Sequence, residues 1–227
     1  MEKIFFDKEL YFRFLNEKDI DILLDLINEV YEGLEDKSVY ILDTYDELLE
    51  QLSGDKDVIL GVFNEKDELI AFRHTELGVE SKQLHKYVSV VNIPKEGTIY
   101  HGGSMVREDY RGRGLQNKTR DIMDKTLEDD DFSRFVSTIS PKNAYSMRNV
   151  FKSGFALVAY VAKYPAGENK FEERFVFYKD FEKPFIYTGM EEVVDITDVE
   201  RITQVISKGY VGTEIENGKL TLSQLKK

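Results

Sequence analysis

Between residues 99 and 127 the hydrophobic period changes, and two glycines stand at the change. IYHGGSMV (99 to 106) reads as a strand, whereas Leu115, Thr119, Ile122, Met123, Thr126 and Leu127 keep the spacing of one helical face. The connection contains DYRGRGLQ, with Gly112 and Gly114 set among arginines. Glycine costs backbone entropy, so a pair before a helix serves a tight turn or a close approach of backbone to something bound. N–H groups at a helix start have no intrahelical partner and stand at the positive end of the helix dipole. Without Cβ atoms at Gly112 and Gly114 a phosphate can reach those N–H groups, and Arg111 and Arg113 can add charge-assisted bonds. A plain solvent-exposed turn is the alternative at this point. The nucleotide fingerprints are absent: there is no Gly-x-x-x-x-Gly-Lys-Ser/Thr, and Gly-x-Gly-x-x-Gly fails because Asn117 fills its last position.

The rest of the chain alternates in a way that suits a mixed α/β domain. LYFRFL (10 to 15) reads as a strand and Asn16 to Asp19 as a turn into a helix with Ile20, Leu23, Leu24, Ile27, Val30 and Tyr31 on one face. A second helix is expected over YDELLEQL (45 to 52), then a hairpin of VILGVF and LIAFRHTEL around NEKDE. Residues 78 to 97 carry no clear period; HKYVSVVNIP suits part of a strand or an irregular crossing segment. FSRFVSTIS (132 to 140) is a further strand. Pro141 and Asn143 open a helix with Ala144, Met147, Val150 and Phe151 on its apolar face, closed by Gly154 at a left-handed C-terminal cap. FALVAYVAKY and FEERFVFYKDF form a long hairpin around PAGEN. In the tail, Thr197 to Glu200 has the form of a capping box before Val199, Ile202, Val205 and Ile206, and Asn217-Gly218 marks a short hairpin. No internal repeat or linker interrupts this order. The expected division is one main domain over 1–181 and a C-terminal α/β appendage over 182–227.

Composition excludes several classes. The 227 residues include no cysteine, which removes disulfides, thiolate metal sites and a cysteine nucleophile and suits a cytoplasmic location. The first residues lack the order of a signal peptide, and no apolar run has the length of a membrane span. A net charge of −12 disfavours nonspecific nucleic-acid binding, so an anionic ligand needs a local site. No metal and no membrane or nucleic-acid partner is expected.

VREDYRGRGLQ, a valine, four residues, then Arg-Gly-x-Gly-Leu, resembles the pyrophosphate-binding motif of the GCN5-related N-acetyltransferases. ISPKNAYSMRNVFKSGF resembles the family's later signature of a strand, an Asn-x-x-Ser helix and a terminal Lys-x-Gly-Phe, and FRFLNEKDIDILLDL resembles its first strand and helix. The resemblance covers roughly residues 10 to 180. It implies a twisted, mostly antiparallel sheet flanked by helices, with central parallel strands at 99–106 and 132–140 that splay apart around pantetheine. Acetyl-CoA is then the implied cosubstrate. Backbone groups of Ser104, Met105 and Val106 would pair with pantetheine. The turn formed by Gly112, Arg113, Gly114, Leu115, Gln116 and Asn117 would hold the pyrophosphate beside Arg111, and Asn143 and Ser146 would face the cofactor arm. Asn143 read from its own sequence context is equally a helix cap. The chain departs from the family at Asp109 and Gln116, which leaves the N–H groups in place, and at Val150, where many members carry a tyrosine that protonates the leaving thiolate.

The resemblance implies acetyl transfer to an amine of a small molecule, peptide or protein by direct attack. One alternative is a noncatalytic acyl-CoA-binding module; another is an unrelated phosphate-binding domain, which has only the glycine turn in its support. Ser146, one turn before Val150 and on nearly the same face, is the substitute proton donor, with water as the other choice. His101 is the first choice of base, with Tyr100, His74 and Glu76 as further candidates; alternation puts His74 and Glu76 on one face of their strand. The tail is open to three roles: a lid over the acceptor cleft, a homodimer contact, or packing on the main domain, the last being the default.

Overall fold

Backbone hydrogen bonding along strands with a period of two, and helices with a period near 3.6, arrange this chain into two contact units. The computed structural model describes residues 3–5, 9–54, 58–77, 83–128, 132–165 and 171–226. Among them lie five α-helices and eleven β-strands, a mixed α/β composition with mostly antiparallel strand pairing. No described helix is long and apolar enough to cross a membrane.

The first unit holds residues 1–77 and 101–127. Its strands are β1 (Ile4–Phe5), β2 (Tyr11–Phe14), β3 (Ile59–Phe63), β4 (Leu69–Leu77) and the part of β5 (Thr98–Val106) from His101 onward, in that spatial order. β3 and β4 form the expected hairpin, with Ile59 opposite His74 and Gly61 opposite Phe72. Asn64 turns the chain between them: its side-chain oxygen accepts from the Lys66 and Glu68 N–H groups. Helix α1 (Ile20–Glu32) follows a single 3₁₀ turn in which Asn16 and Asp19 form a reciprocal capping box. Leu23, Leu26, Ile27 and Val30 face a core that also contains Leu48 and Leu52 of α2 (Tyr45–Leu52), together with Phe63, Phe72 and Met105. Thr44 and Glu47 cap α2 in the same reciprocal way. Helix α3 (Leu115–Glu128) follows β5 and buries Leu115, Thr119, Met123 and Leu127.

The second unit holds residues 78–100 and 128–227. The start of β5 lies beside β6 (Arg134–Ile139), and beyond it the order is β8 (Phe171–Asp180), β7 (Ala156–Pro165), β10 (Tyr210–Glu216), β11 (Lys219–Leu225) and β9 (Tyr187–Asp195). β7 and β8 are the expected long antiparallel pair, with Leu157 opposite Phe177; the connection at 166–170 lies outside the described residues. The segment without a clear period forms a 3₁₀ turn at Leu84–Tyr87 and then runs irregularly, burying Leu84 and Ile93 among Tyr100, Val136, Val158 and Val176. Helix α4 (Ala144–Lys152) ends as its sequence requires: Gly154, at φ +83°, closes it in the left-handed region.

The tail shares this unit with residues 128–181. β10 pairs with β7 through Gly212 and Leu157, and a Cβ at Gly212 would stand 2.9 Å from the Leu157 Cβ. Asn217 and Gly218, both at positive φ, make the two-residue turn that brings Glu216 opposite Lys219. Helix α5 (Val199–Ser207) buries Ile202, Val205 and Ile206. Its cap differs from the expectation by one residue: Asp198, not Thr197, accepts from the Arg201 N–H. Thr197 instead turns back on Asp195, whose carboxylate takes both its hydroxyl and its N–H.

Candidate functional site

Local sequence explains the turn between β5 and α3. After Val106 the Arg107 N–H is still paired, to the Ile70 carbonyl at 2.9 Å, and a 3₁₀ turn over Glu108–Tyr110 ends that ladder. Gly112 (φ +80°) and Gly114 (φ +73°) then take left-handed conformations that L side chains rarely adopt. A Cβ built on either would meet nothing within 4 Å, so the two glycines are required by conformation and they border open space. The Gly114 carbonyl accepts from the Lys118 N–H at 3.0 Å, the first bond of α3, which leaves the preceding amides outside the helix ladder.

The two arginines of the turn are already partly engaged. Arg111 Nε donates to the Val106 carbonyl at 3.4 Å. Arg113 pairs with Glu9 at 3.1 Å and lies over the Tyr110 ring. Both arginine side chains are exposed, so the Glu9 pair contributes little to stability and a stronger anion can displace it.

Beneath the turn lies a side chain that the sequence reading missed. Arg73, on β4, is 2% exposed. Its Nη2 donates to the Gln116 carbonyl at 2.8 Å and to the Ser104 hydroxyl at 3.3 Å, and its Nε donates to the Thr119 hydroxyl at 3.2 Å. One guanidinium thus ties β4, β5 and the first turn of α3 together. Burial, reinforced by the Arg120 charge, holds Arg73 well below its usual pKa, and burial pushes Arg120 down to about 10. The only hint in the sequence was an arginine inside LIAFRHTEL, a run in which every residue but the last is buried.

His101 belongs to the same buried region. Its Nε2 stands 2.8 Å from Asp124 on α3, with side-chain exposures of 1% and 7%. Burial pushes its pKa down to about 4, against the opposing pull of Asp124. The imidazole is therefore neutral near pH 7 and shut away from solvent. Met105 and Val106 are buried as well, Met105 within the apolar core of the first unit.

A second group sits at the far end of β4. His74 and Glu76 share a face, as alternation requires, and Asp43 joins them from the segment before α2. One ligand atom from each lies within 4.8 Å of the others, and His74 Nδ1 is 3.5 Å from Asp43 Oδ2. His74 is 2% and Glu76 8% exposed, while the Asp43 side chain reaches solvent at 20%. Nearby, Gly103 of β5 leaves room for Tyr40: a Cβ at 103 would overlap the Tyr40 hydroxyl. Burial and the Asp43 charge raise the pKa of that phenol.

The expected site residues thus fall into two sets. The first unit brings together Ser104, Met105 and Val106 with Arg111 to Asn117, and it also carries His101. Asn143 and Ser146 belong to the second unit, where the Asn143 side chain caps α4 by accepting the Ser146 N–H at 2.9 Å. The capping reading of Asn143 therefore holds. Val150 is wholly buried and Tyr145 is 59% exposed. In the second unit Tyr100 hydrogen-bonds Thr138 at 2.9 Å, which occupies its hydroxyl.

No protein-family profile matches the sequence, and no curated protein sequence does so either. Solved structures do match. An N-acetyltransferase from Staphylococcus aureus superposes with a TM-score of 0.58 at 15% identity, over 76% of this chain and 98% of that one. An acetyltransferase of the GNAT family from Streptococcus pneumoniae gives 0.57 at 18%, over 76% and 99%. A GCN5-related N-acetyltransferase from Kribbella flavida gives 0.55 at 13%, over 75% and 97%. Identities this low speak for architecture, and the architecture agrees with the strand, glycine turn and helix described above. The chain has the fold of the GCN5-related N-acetyltransferases.

Proposed function

We propose that the protein moves an acetyl group from acetyl-CoA to an amine of a small molecule, peptide or protein by direct attack. The observation that carries this reading is the pair of left-handed glycines, Gly112 and Gly114, bordering open space at the start of α3. A diphosphate suits amides freed of Cβ atoms at the positive end of a helix. Gly112 to Asn117 would hold it, Arg111 and Arg113 would neutralise it, and Arg73 would keep the turn rigid from below. Bound acetyl-CoA would supply an activated thioester and leave as the coenzyme A thiol, so no covalent enzyme intermediate is required.

The protein's part is then to orient, to polarise and to move protons. A backbone N–H at Met105 or Val106 is the proposed donor to the thioester oxygen, in the manner of an oxyanion hole. For the base, His101 is a poor fit, because Asp124 holds its Nε2 and both side chains are buried. The Asp43–His74–Glu76 group is the better acceptor of the amine proton: it couples one imidazole to two carboxylates and reaches solvent through Asp43. Ser146, one turn before Val150 on α4, is the stand-in proton donor to the thiolate, with water as the other choice.

Val150 favours a second reading. A wholly buried aliphatic stands where many family members place a proton donor, which suits an acyl-CoA-binding module without turnover. Offering the purified chain acetyl-CoA and a broad panel of amines, with free thiol as the readout, separates the two. Thiol release that depends on the amine supports transfer. Calorimetric binding of coenzyme A with no release across the panel supports the module, and absence of any heat with coenzyme A overturns both.

A further inference from the structure

Two groups of buried titratable side chains in the first unit each contain a histidine, and they differ in one respect. The carboxylate facing His101 stands at 2.8 Å, whereas the one facing His74 stands at 3.5 Å, and neither ring nitrogen of His74 makes a hydrogen bond. His74 is nonetheless 2% exposed, and its Nδ1 points toward Asp43 Oδ2 at 3.5 Å, with a Glu76 oxygen completing a set within 4.8 Å. Burying an imidazole without a hydrogen bond is costly, and such a group in a folded protein calls for an explanation. The geometry around it is held from two sides. β4 fixes residues 74 and 76 on one face, and the Thr44–Glu47 capping box fixes the chain next to Asp43.

We propose that Asp43, His74 and Glu76 bind one divalent transition-metal ion of the zinc class. The donor set is one imidazole nitrogen and two carboxylate oxygens, and its charge of two carboxylates and a neutral ring balances a dication. Zinc bonds to such atoms at about 2.0–2.2 Å, which in a tetrahedron separates donors by about 3.4 Å. His74 and Asp43 already stand at that spacing, and rotation of the Glu76 side chain closes the remainder. The nitrogen donor selects zinc, cobalt or nickel over magnesium and calcium, which take oxygen ligands. Three protein ligands leave a coordination position open to water or to a ligand, the arrangement of reactive rather than purely structural zinc sites. This goes beyond the cysteine-free sequence, from which no metal was expected.

The inference concerns binding alone and stands whether or not the chain transfers acetyl groups. Where the same side chains accept the amine proton, ion and proton compete for the same lone pairs, and zinc inhibits transfer. The full chain, stripped with a chelator, is titrated with zinc chloride in a calorimeter and separately with cobalt chloride in a visible spectrometer. One ion per chain at micromolar affinity or tighter, with a cobalt spectrum typical of low coordination number, is the expected result. Asp43→Asn and Glu76→Gln are each expected to weaken binding by roughly tenfold or more, and His74→Gln by more still. Because His74 is buried, its variant is judged only if circular dichroism shows it folded; Asp43→Asn, at a partly exposed position, and the cobalt spectrum of the parent decide otherwise. No saturable zinc heat overturns the proposal. So does equal affinity in the parent and the Asp43 and Glu76 variants, which would put the ion on surface carboxylates.

Discussion

Gly112→Ala separates two costs that the structure keeps distinct. Position 112 has φ +80° and open space, so an added methyl clashes with nothing in the free protein. The cost to folding is conformational only, about 1–2 kcal/mol for an L residue held in the left-handed region. In a chain of this size each 1 kcal/mol moves the melting temperature by roughly 2–4 °C. The cost to binding is of another kind, because the methyl would project from the turn where a diphosphate must reach the amides. Losing one hydrogen bond to a charged group removes about 1.5–3 kcal/mol, or roughly 10–100-fold in affinity.

Gly209→Ala is the matched control. Gly209 follows α5 at φ +92°, also with nothing within 4 Å of a built Cβ. Both variants are therefore expected to melt a few degrees below the parent, and only Gly112→Ala is expected to lose affinity for coenzyme A in calorimetry. Gly112→Asp, which adds a negative charge at the same point, is expected to abolish binding while the fold persists. Parent-like affinity in Gly112→Ala and Gly112→Asp would mean that the diphosphate is held elsewhere. Equal losses in Gly112→Ala and Gly209→Ala would mean that the effect passes through stability.

Three further outcomes are expected. His101, with a pKa near 4 in the fold against an ordinary 6.5, binds its proton more readily when unfolded, so its contribution is complete above pH 6.5 and is lost as pH falls toward 4. Urea melts at about pH 7.5 and about pH 5 should therefore lose about 2 kcal/mol more in the parent than in His101→Gln; equal slopes would refute the burial argument. Arg73→Met removes three donated hydrogen bonds and should cost roughly 2–3 kcal/mol while weakening coenzyme A binding, since the Gln116 carbonyl and the Ser104 hydroxyl lose their common anchor; unchanged affinity in a destabilised variant would limit Arg73 to the core. Gly103→Ala should destabilise by about 1–3 kcal/mol through its overlap with Tyr40, and Tyr40→Ala should recover part of that loss in the double variant, a coupling that additive melting temperatures would exclude.

What the sequence disclosed follows the range of the forces involved. Asn143 as a cap, Gly154 as a helix stop, Asn217-Gly218 as a turn and the glycines at 112 and 114 are all settled by a residue's own backbone and its nearest neighbours, so the chain announces them. The α5 cap shows the limit of that rule. Thr197 and Asp198 are both good capping residues, and the choice between them depended on Asp195, which drew Thr197 into a separate turn.

Arg73 and Asp43 were hidden for a different reason. A strand's alternation predicts which face a side chain takes, yet β4 is buried along nearly its whole length, so the pattern could not distinguish an arginine anchored under α3 from one at the surface. Asp43 meets His74 across 31 residues of sequence, through the packing of a loop that carries no period. Both residues act at long range. Val150 differs from both: helical spacing placed it on the apolar face of α4, and it is wholly buried there. Replacing it with tyrosine would overpack α4, at about 1–3 kcal/mol, so the tyrosine of the motif that this helix resembles does not fit here without cost.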